Sequence, residues 1–397
     1  MNRKIPFSAC IVLMLIAAIF TYQITTISIE SRYAGKVSSV SKTPSDDPKL
    51  AEAKYYIKNY YVKDYNEDDV NDAAVIGYIL GLKDPHSSYY TKEQFDELTD
   101  TTQGGATGIG IRIFNNAKTD EMTIFEVVRS SPAEESGILP KDVITSVDGK
   151  PYNELGYEGA YNALLGKEGE TVEIGIKRGN EQITANVTRR HFEQQTVTAR
   201  LCETNKSIGY VKIYSFDNST TNQFKNAVEE LLELGANSFI FDVRSNPGGT
   251  LDSVSKILDY LLPAGPIIRM VDKNGETEIM KSDSAELSCP MVVLANGSSA
   301  SAAELFTSAL MDYNKATFIG TKTYGKGTIQ TSFKLSDGSG MRLSTQYYLP
   351  PFSASFDGLG IEPDIEIQLS EESMATFYLL GETEDEQLAA AIDYLKQ

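Results

Sequence analysis

The sequence predicts an α+β protein built from several domains. Its 397 residues, 41% of them hydrophobic, are enough to bury roughly two or three separate cores. Two patterns follow one another along the chain. Between residues 104 and 188, short strand patterns are separated by turns and brief helical stretches. From Ser207 onward, apolar strand runs alternate with amphipathic helices. With 22 Tyr and 16 Phe, the composition is that of a globular chain and not of a disordered one.

Taken in order, the chain opens with Arg3 and Lys4 ahead of an apolar run from Ile5 to Phe20. Basic residues before an apolar core form an export signal. The run is close to the roughly 20 residues that span a bilayer. No small-x-small cleavage site follows, so residues 1–25 are expected to remain as a signal-anchor in the membrane. The alternative is signal cleavage and secretion. The positive-inside rule places the rest of the chain outside the cytoplasm. Residues 26–49, rich in Ser, Lys, Pro and Asp, form a tether. Residues 50–102 carry three helical patterns, LAEAKYYIKNYYV, DDVNDAAVIGYILGL and KEQFDELTD, interrupted by Asp84-Pro85-His86-Ser87-Ser88.

Residues 103–190 change character. The glycine-rich loop Gly104–Ile113 runs into a strand, then come MTIFEVV, a helix opened by Ser131-Pro132-Ala133, DVITSVDG, a helix around Tyr157–Leu165, and the strands TVEIGIKR and EQITANVT. A loop of this kind presents backbone N–H groups to a peptide carboxylate, or is simply a tight turn before a strand. In residues 191–397, IGYVKI, SFIFDV and MVVLA read as strands buried on both faces. TTNQFKNAVEELLELG and TLDSVSKILDYLL read as amphipathic helices. Gly248-Gly249 lies between the second strand and its helix, where backbone amides can approach a ligand closely.

The net charge of −19 speaks against a nucleic-acid partner, which needs clustered Lys and Arg. Three cysteines are too few for a disulfide scaffold. Cys10 falls in the apolar run, and Cys202 and Cys289 either pair after export or stay as buried thiols. Neither has the neighbours of a metal site, so no metal or cofactor is expected.

The stretch Met291–Gln330 concentrates the chemistry. MVVLA is a buried strand, Asn296-Gly297-Ser298-Ser299 a turn, and AAELFTSALMDY a helix. Ser301 therefore stands at a helix N-terminus, where unpaired N–H groups and the dipole favour a developing anion. A serine hydrolase commonly takes histidine as its base, but the two histidines, His86 and His191, lie outside the strand–helix core. Lysine can replace it if burial keeps it neutral. Lys326 follows Ser301 by 25 positions, sits between two glycines, and has no acid in its segment. Gln330, four residues on, falls on the same face of an extended strand and can orient an amine without adding charge. Taken singly, Ser301 also reads as a helix cap and Lys326 as a surface lysine.

Two resemblances join these pieces. GIGI, VVRSSPAEESGILPKDVITSVDGKPY and GKEGETVEIGIKR together resemble a PDZ domain of the bacterial protease type. That resemblance implies a peptide added as a strand, its C-terminus held by Gly108, Ile109, Gly110 and Ile111. From Ala51 to Gln397, the chain resembles the carboxyl-terminal processing peptidases, through DPHSSYYTKEQF, IGYVKIYSF, FDVRSNPGG, VVLANGSSASAAEL, IGTKTYGKGTIQ, LSTQYYLPP and GLGIEPDI in that order. This implies a crotonase/ClpP-like protease core, Ser301 as nucleophile, Lys326 as general base and Gln330 as its orienting residue. The oxyanion donors become the backbone N–H groups of Gly248, Gly249 and Ala302. It also implies protein or peptide substrates with accessible C-termini, and homodimers through the helical arm. One departure is Leu164-Leu165-Gly166, where relatives often carry an arginine that couples the PDZ domain to the active site. Two other readings compete: a catalytically inactive or gated PDZ adaptor on a protease scaffold, and a crotonase-type acyl-CoA enzyme. The retained Ser301, Lys326 and Gln330 oppose the first, and the export signal and PDZ-like unit oppose the second.

Overall fold

The computed structural model describes residues 48–101, 105–116, 118–283 and 286–396. The expected signal-anchor, Cys10 and Gly104 lie outside the described residues. The chain divides into two compact units at Ala74/Val75. The first contains α1 (Pro48–Tyr60) and the start of α2 (Glu67–Gly81). Tyr55, Tyr56 and Tyr60 of α1 pack on one another, with ring centroids 5.8–6.4 Å apart. No described helix is long and apolar enough to cross a membrane.

The second unit completes α2 and continues with β1 (Ser88–Tyr90) and α3 (Lys92–Thr101). A small β-rich domain follows: β2 (Gly105–Gly108), β3 (Ile111–Asn116), β4 (Glu121–Val127), α4 (Pro132–Glu135), β5 (Val143–Val147), β6 (Lys150–Pro151), α5 (Tyr152–Leu164), β7 (Thr171–Arg178), β8 (Glu181–Thr188) and β9 (Arg190–Glu193). Its main sheet runs β3-β4-β5-β7-β8, all antiparallel, so β3 is an edge strand. Alternation decides which residues enter its core: Val172, Ile174 and Ile176 of β7 point in, and Thr171 and Glu173 point out. Ala160 and Leu164 of α5 close that core.

The larger domain begins with β10 (Val197–Leu201), β11 (Ile208–Ile213), α6 (Thr220–Glu233), β12 (Ser238–Asp242), α7 (Leu251–Leu261), β13 (Gly265–Asp272), β14 (Thr277–Ser282) and β15 (Met291–Ala295). It ends with α8 (Ala302–Asp312), β16 (Ala316–Gly320), β17 (Thr328–Lys334), β18 (Gly340–Leu349), β19 (Ile365–Glu366), α9 (Glu371–Ala375) and α10 (Glu386–Tyr394). The central sheet runs β10-β11-β12-β15-β16-β19 and is parallel apart from β10. Every residue of β12 and β15 is buried, because helices cover both faces. Phe224, Val228, Leu258 and Phe306 from α6, α7 and α8 fill one side. Leu388, Ala391 and Ile392 of α10 fill the other.

A second, antiparallel sheet runs β1-β18-β13-β14, with β17 also paired to β18. It changes the expected placement of Lys326, which stands in the loop before β17 and not in a strand. Cys202 is buried and Cys289 half-buried, and both are free thiols. Burial pushes the Cys202 thiol up to about 12 and that of Cys289 to about 11.

Charged side chains buried at the C-terminal end of β12 hold the following loop. Asp242 accepts from Lys212 Nζ at 3.0 Å and from Arg244 at 2.6 Å, and Arg244 also reaches Asp385 at 2.7 Å. Burial opposes ionisation of Asp242, but Arg244 and Lys212 hold its carboxyl well below the ordinary range. Arg244 thus clamps the N-cap of α10 to the loop that carries Gly248-Gly249. Arg244→Leu removes the guanidinium that pairs with two buried carboxylates and should lower the unfolding free energy by about 3–5 kcal/mol. Urea denaturation measures this, and a loss below about 1 kcal/mol would show that the clamp is not structural.

Candidate active site

The parallel sheet delivers two loops to one place. β15 ends at Ala295, and the turn Asn296–Ala300 leads to Ser301 at the N-cap of α8. Ser299 is absorbed by that turn: its hydroxyl donates to the Val243 carbonyl at 2.8 Å and accepts the Asn296 N–H at 2.9 Å. Ser298 is exposed. Ser301 has φ 58° and ψ −120°, a conformation that costs a non-glycine residue about 1–3 kcal/mol. Such strain turns a side chain out of a strand-to-helix corner.

Glu304, wholly buried in the first turn of α8, holds this corner. Its Oε2 accepts the Ser301 N–H at 2.9 Å and the Lys326 N–H at 2.8 Å. Its Oε1 accepts the Thr323 hydroxyl and the Gly325 N–H, both at 2.6 Å. One carboxylate therefore ties the backbone of the serine to the backbone of the lysine. Burial pushes its carboxyl up from the ordinary range, and the four donors oppose that shift.

Lys326 is half-buried, and among the described residues its ammonium has no ion-pair or hydrogen-bond partner. Desolvation pulls its pKa below the ordinary lysine value. The charge of Arg342 adds to that effect, and Asp84 opposes it. Ser301, Lys326 and Gln330 line a single cavity of about 420 Å³, together with Ala302, Gly249, Leu251, Leu305, Ile329 and Tyr348. Gln330 does not bond Lys326. A register shift between Ile329 and Gln330 breaks the expected alternation, and the amide nitrogen donates to Thr328 Oγ1 at 2.9 Å and Ser344 Oγ at 3.2 Å.

The expected oxyanion donors are not equivalent. Gly248 packs so closely that a Cβ there would lie 2.7 Å from Ser301 Cβ. Its N–H, however, already donates to Asn246 Oδ1 at 2.8 Å. The N–H groups of Gly249 and Ala302 have no acceptor among the described residues. Asn246 further fixes the loop by donating to the Ile213 carbonyl and accepting the Ala300 N–H through its own carbonyl.

Two contributors were not visible in the sequence. Tyr348 on β18 donates to the Lys326 carbonyl and lines the same cavity as Ser301. Burial keeps that phenol protonated. The second is the turn around His86. Pairing of Ser88 with Arg342 brings it beside the site, and burial and the charge of Lys326 lower the His86 pKa. His86 is thus part of the surroundings of the site. His191 lies on β9 and is exposed.

In the smaller domain, Gly108, Ile109, Gly110 and Ile111 line one groove between β3 and α5, with Val128, Leu164, Leu165 and Phe192. Gly110 needs its hydrogen side chain, since it has φ 82° and a Cβ would lie 2.2 Å from Ser131 Cβ. Leu165 points an apolar side chain into this groove. The domain meets the larger one through Arg112, which pairs with Glu126 at 3.1 Å and lies over the Tyr214 ring at 4.1 Å, and through Phe125, stacked on Tyr378 at 4.2 Å.

Comparison with known proteins agrees with this architecture. Residues 107–188 match the PDZ domain model, and residues 207–367 match the model of peptidase family S41. A Staphylococcus aureus (strain COL) protein named "Probable CtpA-like serine protease" is 32% identical over 337 residues, covering 84% of this chain and 67% of that one. A Staphylococcus haemolyticus protein of the same name is 32% identical over 372 residues, 92% of this chain and 74% of that one. In fold, the chain is similar to a photosystem II D1 C-terminal processing protease, with a TM-score of 0.54 and 23% identity over 90% of this chain and 98% of that one. The chain belongs to peptidase family S41 and is a serine protease that carries a PDZ domain.

Proposed function

We propose that this protease cuts exported or membrane-associated polypeptides near their C-termini through a Ser301–Lys326 pair. The observation that carries the reading is a half-buried lysine, free of any acid partner, lining one cavity with a strained serine at a helix N-terminus. Neutral Lys326 takes the Ser301 proton as Oγ attacks the peptide carbonyl. The amides of Gly249 and Ala302 stabilise the oxyanion, a contribution of about 3 kcal/mol per donor. Lys326 then protonates the leaving amine, and water releases the acyl-enzyme. The edge strand β3 and its groove receive the substrate tail as an added strand. The export reading rests on Arg3, Lys4 and the apolar run that follows, which favour membrane attachment with the protease outside the cytoplasm.

The test is cleavage of a protein with an apolar C-terminal tail, with the cut mapped by mass spectrometry. The wild type should cut within the tail, and Ser301→Ala should not. Cleavage by Ser301→Ala at the wild-type rate, or wild-type cuts scattered without regard to the C-terminus, would overturn the reading.

A further inference from the structure

Arg342 stands on β18, six residues before Tyr348. Arg342 and Ser344, two residues apart, share one face of β18, and Tyr348, beyond the register shift at Thr345, lines the same cavity as Arg342. Tyr348 bonds the Lys326 carbonyl, Ser344 meets Gln330, and Arg342 lines the same cavity as Ser301, Lys326 and Gln330. Among the described residues, no acceptor takes a hydrogen bond from its guanidinium. Two described acids of this corner are engaged elsewhere. Asp84 accepts the His86 N–H at 2.9 Å and the Ser87 hydroxyl at 2.6 Å, and Asp357 accepts the Gly327 N–H at 2.8 Å. A partly desolvated guanidinium with open donors matches a carboxylate, whose two oxygens fit its planar fork.

The cavity has a direction. Asp217, its acidic side chain, follows Phe216 beside Gly249, on the oxyanion side. Arg342 lies on the Lys326 side, where it pairs with Ser332 on β17, the strand that follows the Lys326 loop. Because Lys326 protonates the leaving amine, that side receives the leaving fragment. We infer that Arg342 binds a carboxylate of the leaving, C-terminal fragment and so selects substrates that carry one within about six residues after the cut. The inference rests on the Ser301–Lys326 reading. The carboxylate is either an acidic side chain or the free C-terminus.

Two peptide pairs distinguish these sources. One pair differs only in a free versus an amidated C-terminus, the other only in Glu versus Gln at a position after the cut. The wild type should prefer the acid member of one pair by about 10- to 100-fold in kcat/KM. Arg342→Gln should bring the ratio to about one, and Arg342→Lys should retain part of it. A preference owed to the PDZ groove would survive Arg342→Gln and overturn the inference. So would equal wild-type rates in both pairs. Inhibition of the wild type by the released fragment needs no variant: its acid form should inhibit at least about ten-fold better than its amide form, and equal inhibition would count against Arg342. If the wild type cuts and Ser301→Ala does not, the Ser301–Lys326 reading survives any of these failures.

Discussion

Lys326→Ala should reduce kcat/KM by about 10,000-fold or more, as removal of the base does in other serine proteases. In the proposed mechanism the lysine must be neutral to accept the serine proton. Burial, followed by the charge of Arg342, lowers its pKa from 10.5, so wild-type activity should rise with pH and level off below the ordinary lysine pKa. Stability should move the same way. Between the lowered folded pKa and 10.5, the unfolded chain binds one proton more than the folded one, so the unfolding free energy rises with pH across that window. At pH values below both, the folded state carries a half-buried ammonium without a partner. Lys326→Met keeps the stem and removes the charge. It should abolish activity, flatten that pH dependence and stabilise the neutral-pH fold by about 1 kcal/mol. Kinetic pH profiles and urea denaturation at two pH values read both effects. Retention of more than about 1% activity by Lys326→Ala would remove lysine from the role of base.

Glu304→Gln should also be damaging, by about 100-fold in activity, although Glu304 sits beneath the cavity and touches no reacting atom. Four donors converge on its two oxygens. A glutamine offers one acceptor oxygen and one NH2 group, so two of the donors lose their acceptor and meet another donor. At about 1–3 kcal/mol for each buried group left unpaired, the fold should lose about 2–6 kcal/mol. Activity should fall further than folding accounts for, because the same carboxylate spaces the Ser301 backbone from that of Lys326. A displacement of about 1 Å between reacting groups costs about 100-fold. Measured well below its melting temperature, the variant should lose kcat with KM little changed. A variant with normal kcat in the folded state would show that the spacing is held by other contacts.

Much of this protein is legible without coordinates. β11, β12 and β15 are continuous apolar runs because helices bury both faces of the parallel sheet, and continuous runs of that kind need no partner to be recognised. The strands of the smaller domain alternate because one face is wet. The turn chemistry of Asn296–Ser299 and the helical period after it place Ser301 at a helix start.

Tertiary structure alone decided how the site is held and charged. A glutamate in the first turn of a helix reads as a solvated dipole partner, yet Glu304 is buried by the segment Thr323–Lys326, which arrives from beyond the next strand. Gly248 and Gly249 look alike in sequence, but Asn246 takes the amide of one and leaves that of the other open. The Lys326–Gln330 alternation fails because Lys326 lies in a loop and the strand begins only at Thr328. Tyr348, His86 and Arg342 reach the serine and lysine through pairing in the second sheet, between segments far apart in the chain. Local periodicity records which face of an element is apolar. Which donor meets which acceptor across loops depends on how the sheets are assembled, and that leaves no period to read.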